Sequence, residues 1–335
     1  SMGHFDVTYD TSTQSSTIGN ITPGQVLRSL ASIDGAAADP PGGNSPGAKS
    51  DLDKVQIQIH DPVADTYWHN SGAGPNAGSF VGVSSFNIVS GAAAWTYSNA
   101  NLTTPGIGLE CGKRYYILTR AVDVAGNVQN GFVDNVSSMS FVWDAGAACL
   151  PATVIGNPTA NGIYQPSQLG GGTAFDGTAS DPALAGVSDR LNKVQFHLTF
   201  LAGGASYYWT GSAFSSYTVT DATAWRDVTA GTDSWRNNFD SNKWISDRYY
   251  YLKTRAFDKA EPMGANGGNE QVDPWTLRNF TVDGTAPVSA ISTPVAGGFI
   301  TATLATISGT TYGGLSGLVA GAPGLKLRIF HDYGG

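Results

Sequence analysis

The chain has 335 residues, with 43 glycines against only 18 basic and 26 acidic side chains, 13% charged in all. Soluble domains carry about 25% charged residues and about 7% glycine, but 41% hydrophobic and 11% aromatic content supplies a core and excludes charge-driven disorder. A net charge of −8 excludes a binder of nucleic-acid phosphates, and no run approaches the roughly 18 apolar residues of a membrane span, so neither partner is expected.

In chain order, the first candidate strand is FDVTYDT at 5–11, followed by IDGAAADP at 33–40 and a turn-rich cluster, PPGGNSPG, at 40–47. At 52–60, Val55, Ile57 and Ile59 alternate with Gln56, Gln58 and His60, the period-2 pattern of a half-buried strand. YWHNSGAGPNAGSF follows at 67–80, then YYILTRAVD at 115–123, where Tyr115, Ile117, Thr119 and Ala121 share one face and Arg120 lies on the other. Ala125-Gly126-Asn127 suits a tight turn, and FVWDAGAA at 141–148 supplies the closing strand. No segment of about 11 residues or more combines a 3.6-residue period with caps, so an all-β chain is expected.

The pattern then restarts. FDGTASDP at 175–182 repeats IDGAAADP, and LNKVQFHL at 191–198 repeats LDKVQIQI at 52–59. YWTGSAF at 208–214 shortens the segment at 67–80, YYLKTRAFD at 250–258 repeats 115–123, and FTVDGTAP at 280–287 repeats 141–148. Five motifs recur in order at spacings of 135 to 142 residues, which marks a tandem repeat. The expected division is 1–10 as the last strand of a preceding repeat, whole repeats at 11–144 and 145–283, and part of a further repeat at 284–335. In that last part, 307–310 and 325–329 match the second and third strands. Such ends fit a piece of a longer polypeptide better than strand exchange between chains.

The order of these motifs resembles the tandem immunoglobulin-like repeats of very large bacterial surface proteins and adhesins. It is carried by GTASD at 177–181 with Val194, Y-x-L-x-T-R-A-x-D-x-A at 250–260, AGN at 125–127 and DGTAP at 283–287. The resemblance implies β-sandwich repeats, an extracellular, cell-surface location, a structural and non-enzymatic role as an adhesin shaft, stalk or surface fibre, and neighbouring repeats as partners. It also implies an inward tyrosine, Tyr115 and Tyr250, bonded to backbone at the start of the sixth strand. Metalloprotease, nucleophile-elbow, phosphate-loop and dinucleotide motifs are absent, and the five histidines lack metal-ligand spacing, so no catalytic residues are assigned.

In such a sandwich the linker carboxylate ending one repeat approaches the loops of the next. Asp144 is therefore expected near Asp181 and Asp258, and Asp10 near Asp39, Asp123 and Asn127, as candidate calcium ligands at repeat junctions. Asp283 meets no matching aspartate. Cys111 before the sixth strand and Cys149 after the seventh fall at one pole, where a disulfide would suit an oxidising compartment. An alternative function is binding of surface glycans or host proteins, through Trp225, Trp244 and Trp275, which lack repeat counterparts, or through the loop at 261–269. Trp68 with Trp209 and Trp95 with Trp235 are repeat-equivalent and expected in the core.

Overall fold

A computed structural model describes residues 9–40, 51–70, 78–182, 184–188, 190–300, 303–315, 317 and 324–330. Most of the expected first strand at 5–11 and of the turn at 40–47 lie outside them. The first set of strands is β1 (Ser15–Ile18), β2 (Gln25–Leu27), β3 (Ile33–Ala38), β4 (Leu52–Asp61), β5 (Thr66–His69), β6 (Ser79–Val81), β7 (Asn87–Ile88), β8 (Ala94–Tyr97), β9 (Arg114–Asp123) and β10 (Ser138–Trp143). The second is β11 (Ala152–Asn157), β12 (Gly162–Tyr164), β13 (Gly171–Ser180), β14 (Leu191–Ala202), β15 (Ala205–Trp209), β16 (Phe214–Ser215), β17 (Arg226–Asp227), β18 (Ser234–Phe239), β19 (Arg248–Asp258) and β20 (Thr276–Val282).

Each set forms two sheets, and the orders match strand for strand. The first set gives β1-β3-β8 facing β2-β10-β9-β4-β5-β6 with β7 on β4; the second gives β11-β13-β18 facing β12-β20-β19-β14-β15-β16 with β17 on β14. β2 runs parallel to β10 and β12 parallel to β20, whereas the neighbouring β9–β10 and β19–β20 pairs are antiparallel. The chain is therefore all-β, two immunoglobulin-like sandwiches in tandem. Among the described residues the helical segments are 3-10 turns of three or four residues, and no helix is long and apolar enough to cross a membrane.

The alternation in the sequence explains the packing. Val55, Ile57 and Ile59 are fully buried on β4, while Gln56, Gln58 and His60 are only partly covered. Trp68, Tyr115 and Phe141 complete one core, and Trp235, Tyr250, Phe175 and Phe280 the other. Each such side chain contributes about 1.5–3 kcal/mol through burial. The matching glycines Gly35 and Gly177 are required by contact: a Cβ there would stand 1.9 Å from the carbonyl oxygen of Thr17 or Val154, and 2.3 or 2.6 Å from the ring of Trp95 or Trp235.

Tyr115 and Tyr250 close the corner of each sandwich. The Tyr115 hydroxyl accepts the amide of Glu110 at 2.9 Å; that of Tyr250 accepts the amide of Ile245 and donates to its carbonyl, both at 3.0 Å. Burial pushes both phenols up to about 12, so they stay protonated.

Beyond β20 the chain forms one antiparallel hairpin, β21 (Val288–Thr293) with β22 (Ser308–Tyr312). The strand expected at 325–329 is not formed, and Leu325, Leu327 and Ile329 are exposed. Among the described residues this hairpin has no facing sheet on which a third strand could bury its apolar side.

The chain divides into two compact units. One holds residues 1–151 with 180–192 and 257–271; the other holds 152–179, 193–256 and 272–335.

Candidate metal centres

Asp144 immediately follows β10, and its amide donates to the Leu27 carbonyl at 2.8 Å. Asp181 immediately follows β13, and Asp258 is the last residue of β19. All three belong to the first unit, and one carboxylate oxygen from each lies within 4.8 Å of the others. Asp144 and Asp258 are 1% exposed and Asp181 5%.

The surroundings satisfy Asp258 and leave the other two bare. Asp258 Oδ1 accepts the amides of Ala260 at 2.9 Å and Asn269 at 2.6 Å; its Oδ2 accepts Asn269 Nδ2 at 2.8 Å. That same Nδ2 reaches the Asp144 carbonyl at 2.7 Å, so Asn269 ties two of the three positions together. Among the described residues, no hydrogen bond reaches either carboxylate oxygen of Asp144 or of Asp181. Burial, then the charges of Asp258 and Asp181, push Asp144 up to about 8; burial and Asp258 push Asp181 up to about 7, with Arg190 opposing both.

Buried polar groups are ordinarily hydrogen-bonded, and buried charges paired. These four carboxylate oxygens accept no hydrogen bond among the described residues, three acidic groups face the single opposing charge of Arg190, and the donor set is all oxygen, the chemistry of a hard cation. Calcium binds oxygens at about 2.3–2.6 Å, so ligands on its opposite sides stand roughly 5 Å apart. The three carboxylates fit that span. Asp144, Asp181 and Asp258 would hold such an ion, which would neutralise their mutual repulsion.

A second triad stands at Asp10, Asp39 and Asp123, again within 4.8 Å and again in the first unit. Asn127 plays the part of Asn269: its amide donates to Asp123 Oδ1 at 2.7 Å, and its Nδ2 reaches Asp123 Oδ2 at 2.8 Å and the Asp10 carbonyl at 3.2 Å. Here, however, Ser12 and Gln14 enter the cluster. Ser12 Oγ lies 2.5 Å from Asp10 Oδ1 and 2.6 Å from Asp39 Oδ1, and Gln14 Nε2 donates to Asp123 Oδ2 at 2.5 Å. Sequence reasoning named the aspartates and Asn127 but missed Ser12, Gln14 and Asn269. The AGN turn, repeated as GGN at 267–269, was the available signal for Asn269.

Cys111 and Cys149 are joined, with Cα atoms 5.7 Å apart. Leu184 packs on Cys149 and Val142, and the Ala185 amide donates to the carbonyl of Gly112, next to Cys111, at 3.0 Å. The disulfide thus sits under the loop that follows Asp181.

The other sequence candidates are placed differently from expectation. Trp244 is buried, its Nε1 donating to the Leu169 carbonyl at 2.7 Å and its ring 4.8 Å from that of Tyr250. Trp225 and Trp275 are half-buried and meet edge-on at 5.4 Å, with Arg255 4.1 Å above Trp225 and Lys253 5.1 Å above Trp275. Arg120 over Phe86 at 3.7 Å is the same arrangement in the first sandwich, so Trp225 has a counterpart after all. These three tryptophans form no open stacking platform, because one is core and two lie under cations. The loop at 261–269 is laid along β2, with Glu261 and Val26 joined at 2.8 Å and Arg28 and Glu261 at 2.7 Å, backbone to backbone. His197, which stands at the place of Gln58 in the repeat, is 1% exposed against Tyr208 and Trp225, and burial pushes it down to about 4.

No protein-family model and no curated protein matches the sequence. Solved structures to which the chain is similar include the fibronectin(III)-like modules of Clostridium thermocellum CbhA, at 12% identity and a TM-score of 0.27, over 80% of this chain and 94% of that one.

Proposed function

We propose that the chain is a non-enzymatic structural module of a large extracellular bacterial surface protein, one stretch of an adhesin shaft, stalk or surface fibre, and that calcium completes its fold. The observation that carries the calcium proposal is the pair of bare, buried carboxylates, Asp144 and Asp181, beside Asp258. Calcium is abundant outside cells, and a disulfide suits the same oxidising setting. The partners in this role are neighbouring repeats of the same polypeptide or fibre, and the same sandwich order in both copies supports a part whose task is to be repeated.

Thermal melts of the chain in EDTA and in calcium test the ion's part. The expected result is a higher midpoint in calcium, by linkage about 2.7 kcal/mol of stabilisation when the free ion is at 100 times its Kd. Superimposable melts would overturn it. The surface role is tested by labelling intact cells of the source organism with an antibody against the chain; signal appearing only after lysis would refute it.

A further inference from the structure

The two triads share three positions and an asparagine, but not what fills the space between the carboxylates. Asp10 is followed at two and four residues by Ser12 and Gln14, whose side chains enter the cluster. Asp144 is followed at the same distances by Gly146 and Ala148. Counting back from the first strand of each sandwich gives the same answer. Ser16 meets Thr119 at 2.9 Å on β1, as Thr153 meets Thr254 at 2.8 Å on β11. In that register Ser12 and Gln14 correspond to Cys149 and Pro151. By either count the second triad receives no side-chain hydrogen-bond donor from its linker.

The cause is a longer path. The linker from Asp144 to Thr153 has three more residues than that from Asp10 to Ser16, and it makes the 3-10 turn Ala147–Cys149 that carries Cys149 to Cys111. The residues that could have turned polar side chains inward are spent on reaching the disulfide. A buried polar cluster is stable only when its members are partnered. At the first triad the chain supplies side-chain partners to all three carboxylates and leaves one oxygen, Asp39 Oδ2, without; at the second, two carboxylates more than nine-tenths buried have none on either oxygen.

Building on the calcium proposal above and depending on it, we infer that the chain takes one divalent cation, not two: the ion sits at Asp144, Asp181 and Asp258, while Ser12 and Gln14 close the Asp10, Asp39 and Asp123 triad from within. The two side chains are internal substitutes for the ion. The inference has a gain-of-site consequence, because removing the substitutes should open the first triad to a cation.

Native mass spectrometry of the chelator-stripped chain after calcium addition, with equilibrium dialysis against radioactive calcium, reads the stoichiometry. One ion is expected in the parent, none in Asp181→Asn, and one still in Asp39→Asn. The double variant Ser12→Gly, Gln14→Ala should bind two. Its near-UV circular dichroism, compared with the parent, reports whether it has kept its packing. Should it unfold, the contrast between Asp181→Asn and Asp39→Asn decides alone. Two ions in the parent, or one ion lost in Asp39→Asn but kept in Asp181→Asn, overturns the inference and leaves calcium binding standing. No ion in any form overturns both.

Discussion

Replacing Asp181 with asparagine should change the sign of its effect on stability according to whether calcium is present. Without the ion, three carboxylates lie within 4.8 Å of one another in a buried pocket. At that separation a pair of like charges repels by about 3–4 kcal/mol at an effective dielectric constant near 20. The displacement of Asp181 from 3.8 to about 7 leads to a similar figure. Three units at about 1.4 kcal/mol each give roughly 4 kcal/mol of destabilisation once the group is forced to ionise. An asparagine removes that charge and can donate to the oxygens of Asp144. At pH 8.5 in EDTA, Asp181→Asn should therefore stabilise the chain by about 1–4 kcal/mol. In excess calcium it loses an ion ligand and forfeits the binding contribution, so it should be the less stable protein. Urea unfolding followed by tryptophan fluorescence, with parent and variant under both conditions, gives the four free energies needed. If the variant is destabilised equally in EDTA and in calcium, the carboxylates are partnered by something other than an ion and the electrostatic account is wrong.

The ion-free chain should also lose stability as pH rises. Asp144 and Asp181 have folded-state values raised to about 8 and about 7, first by burial and then by Asp258, with Arg190 opposing, so their protonated forms favour folding fully below about 4 and that benefit disappears as pH passes through 7 to 8. The melting midpoint in EDTA should fall between pH 6 and pH 9 and the fall should shrink in calcium; a rising midpoint in EDTA would contradict the assignment. Tyr250→Phe removes the hydroxyl that bonds both the amide and the carbonyl of Ile245 and should cost about 0.5–1.5 kcal/mol in urea unfolding, whereas Tyr249→Phe, on an exposed face, should cost less. Reducing Cys111–Cys149, which closes a 38-residue separation, should remove about 2–4 kcal/mol, and an unchanged midpoint after alkylation of both thiols would count against any stabilising role.

The strands and the repeat were readable because period-2 alternation survives in single segments such as 52–60, and because turn and glycine positions recur with it. The aspartates could be grouped because the order of strands puts the end of β9 and the loop after β3 at one pole, and in the same way the end of β19 and the loop after β13, where the linker carboxylates Asp10 and Asp144 join them. What was missed depends on shape rather than on letter. Trp225 has no match by letter in the first repeat, yet its counterpart is Phe86, since they lie under the matching arginines Arg255 of β19 and Arg120 of β9. Leu109 and Trp244 likewise correspond, each preceding the residue whose amide meets the corner tyrosine. A matrix of identities does not equate leucine with tryptophan, but a core that has room does. The expected strand at 325–329 failed for the opposite reason. Its alternation is real, but burial is decided by partners, and among the described residues the β21–β22 hairpin has no facing sheet. At His197 a polar letter in an alternating run lies inward, because aromatic cover from Trp225 turns that place into an interior.

The disulfide has one more consequence, for a chain under tension. A bond between Cys111 and Cys149 offers a pulling force a shortcut past everything between them, including β9, β10 and both residues of the pair Tyr115 and Phe141. The 38-residue separation corresponds to about 130 Å of extended chain at roughly 3.5 Å per residue. That length stays unextended in an oxidised molecule. A sandwich stretched to failure would let out correspondingly less slack than its reduced form, and single-molecule extension traces with and without reductant would show the difference as a shorter step.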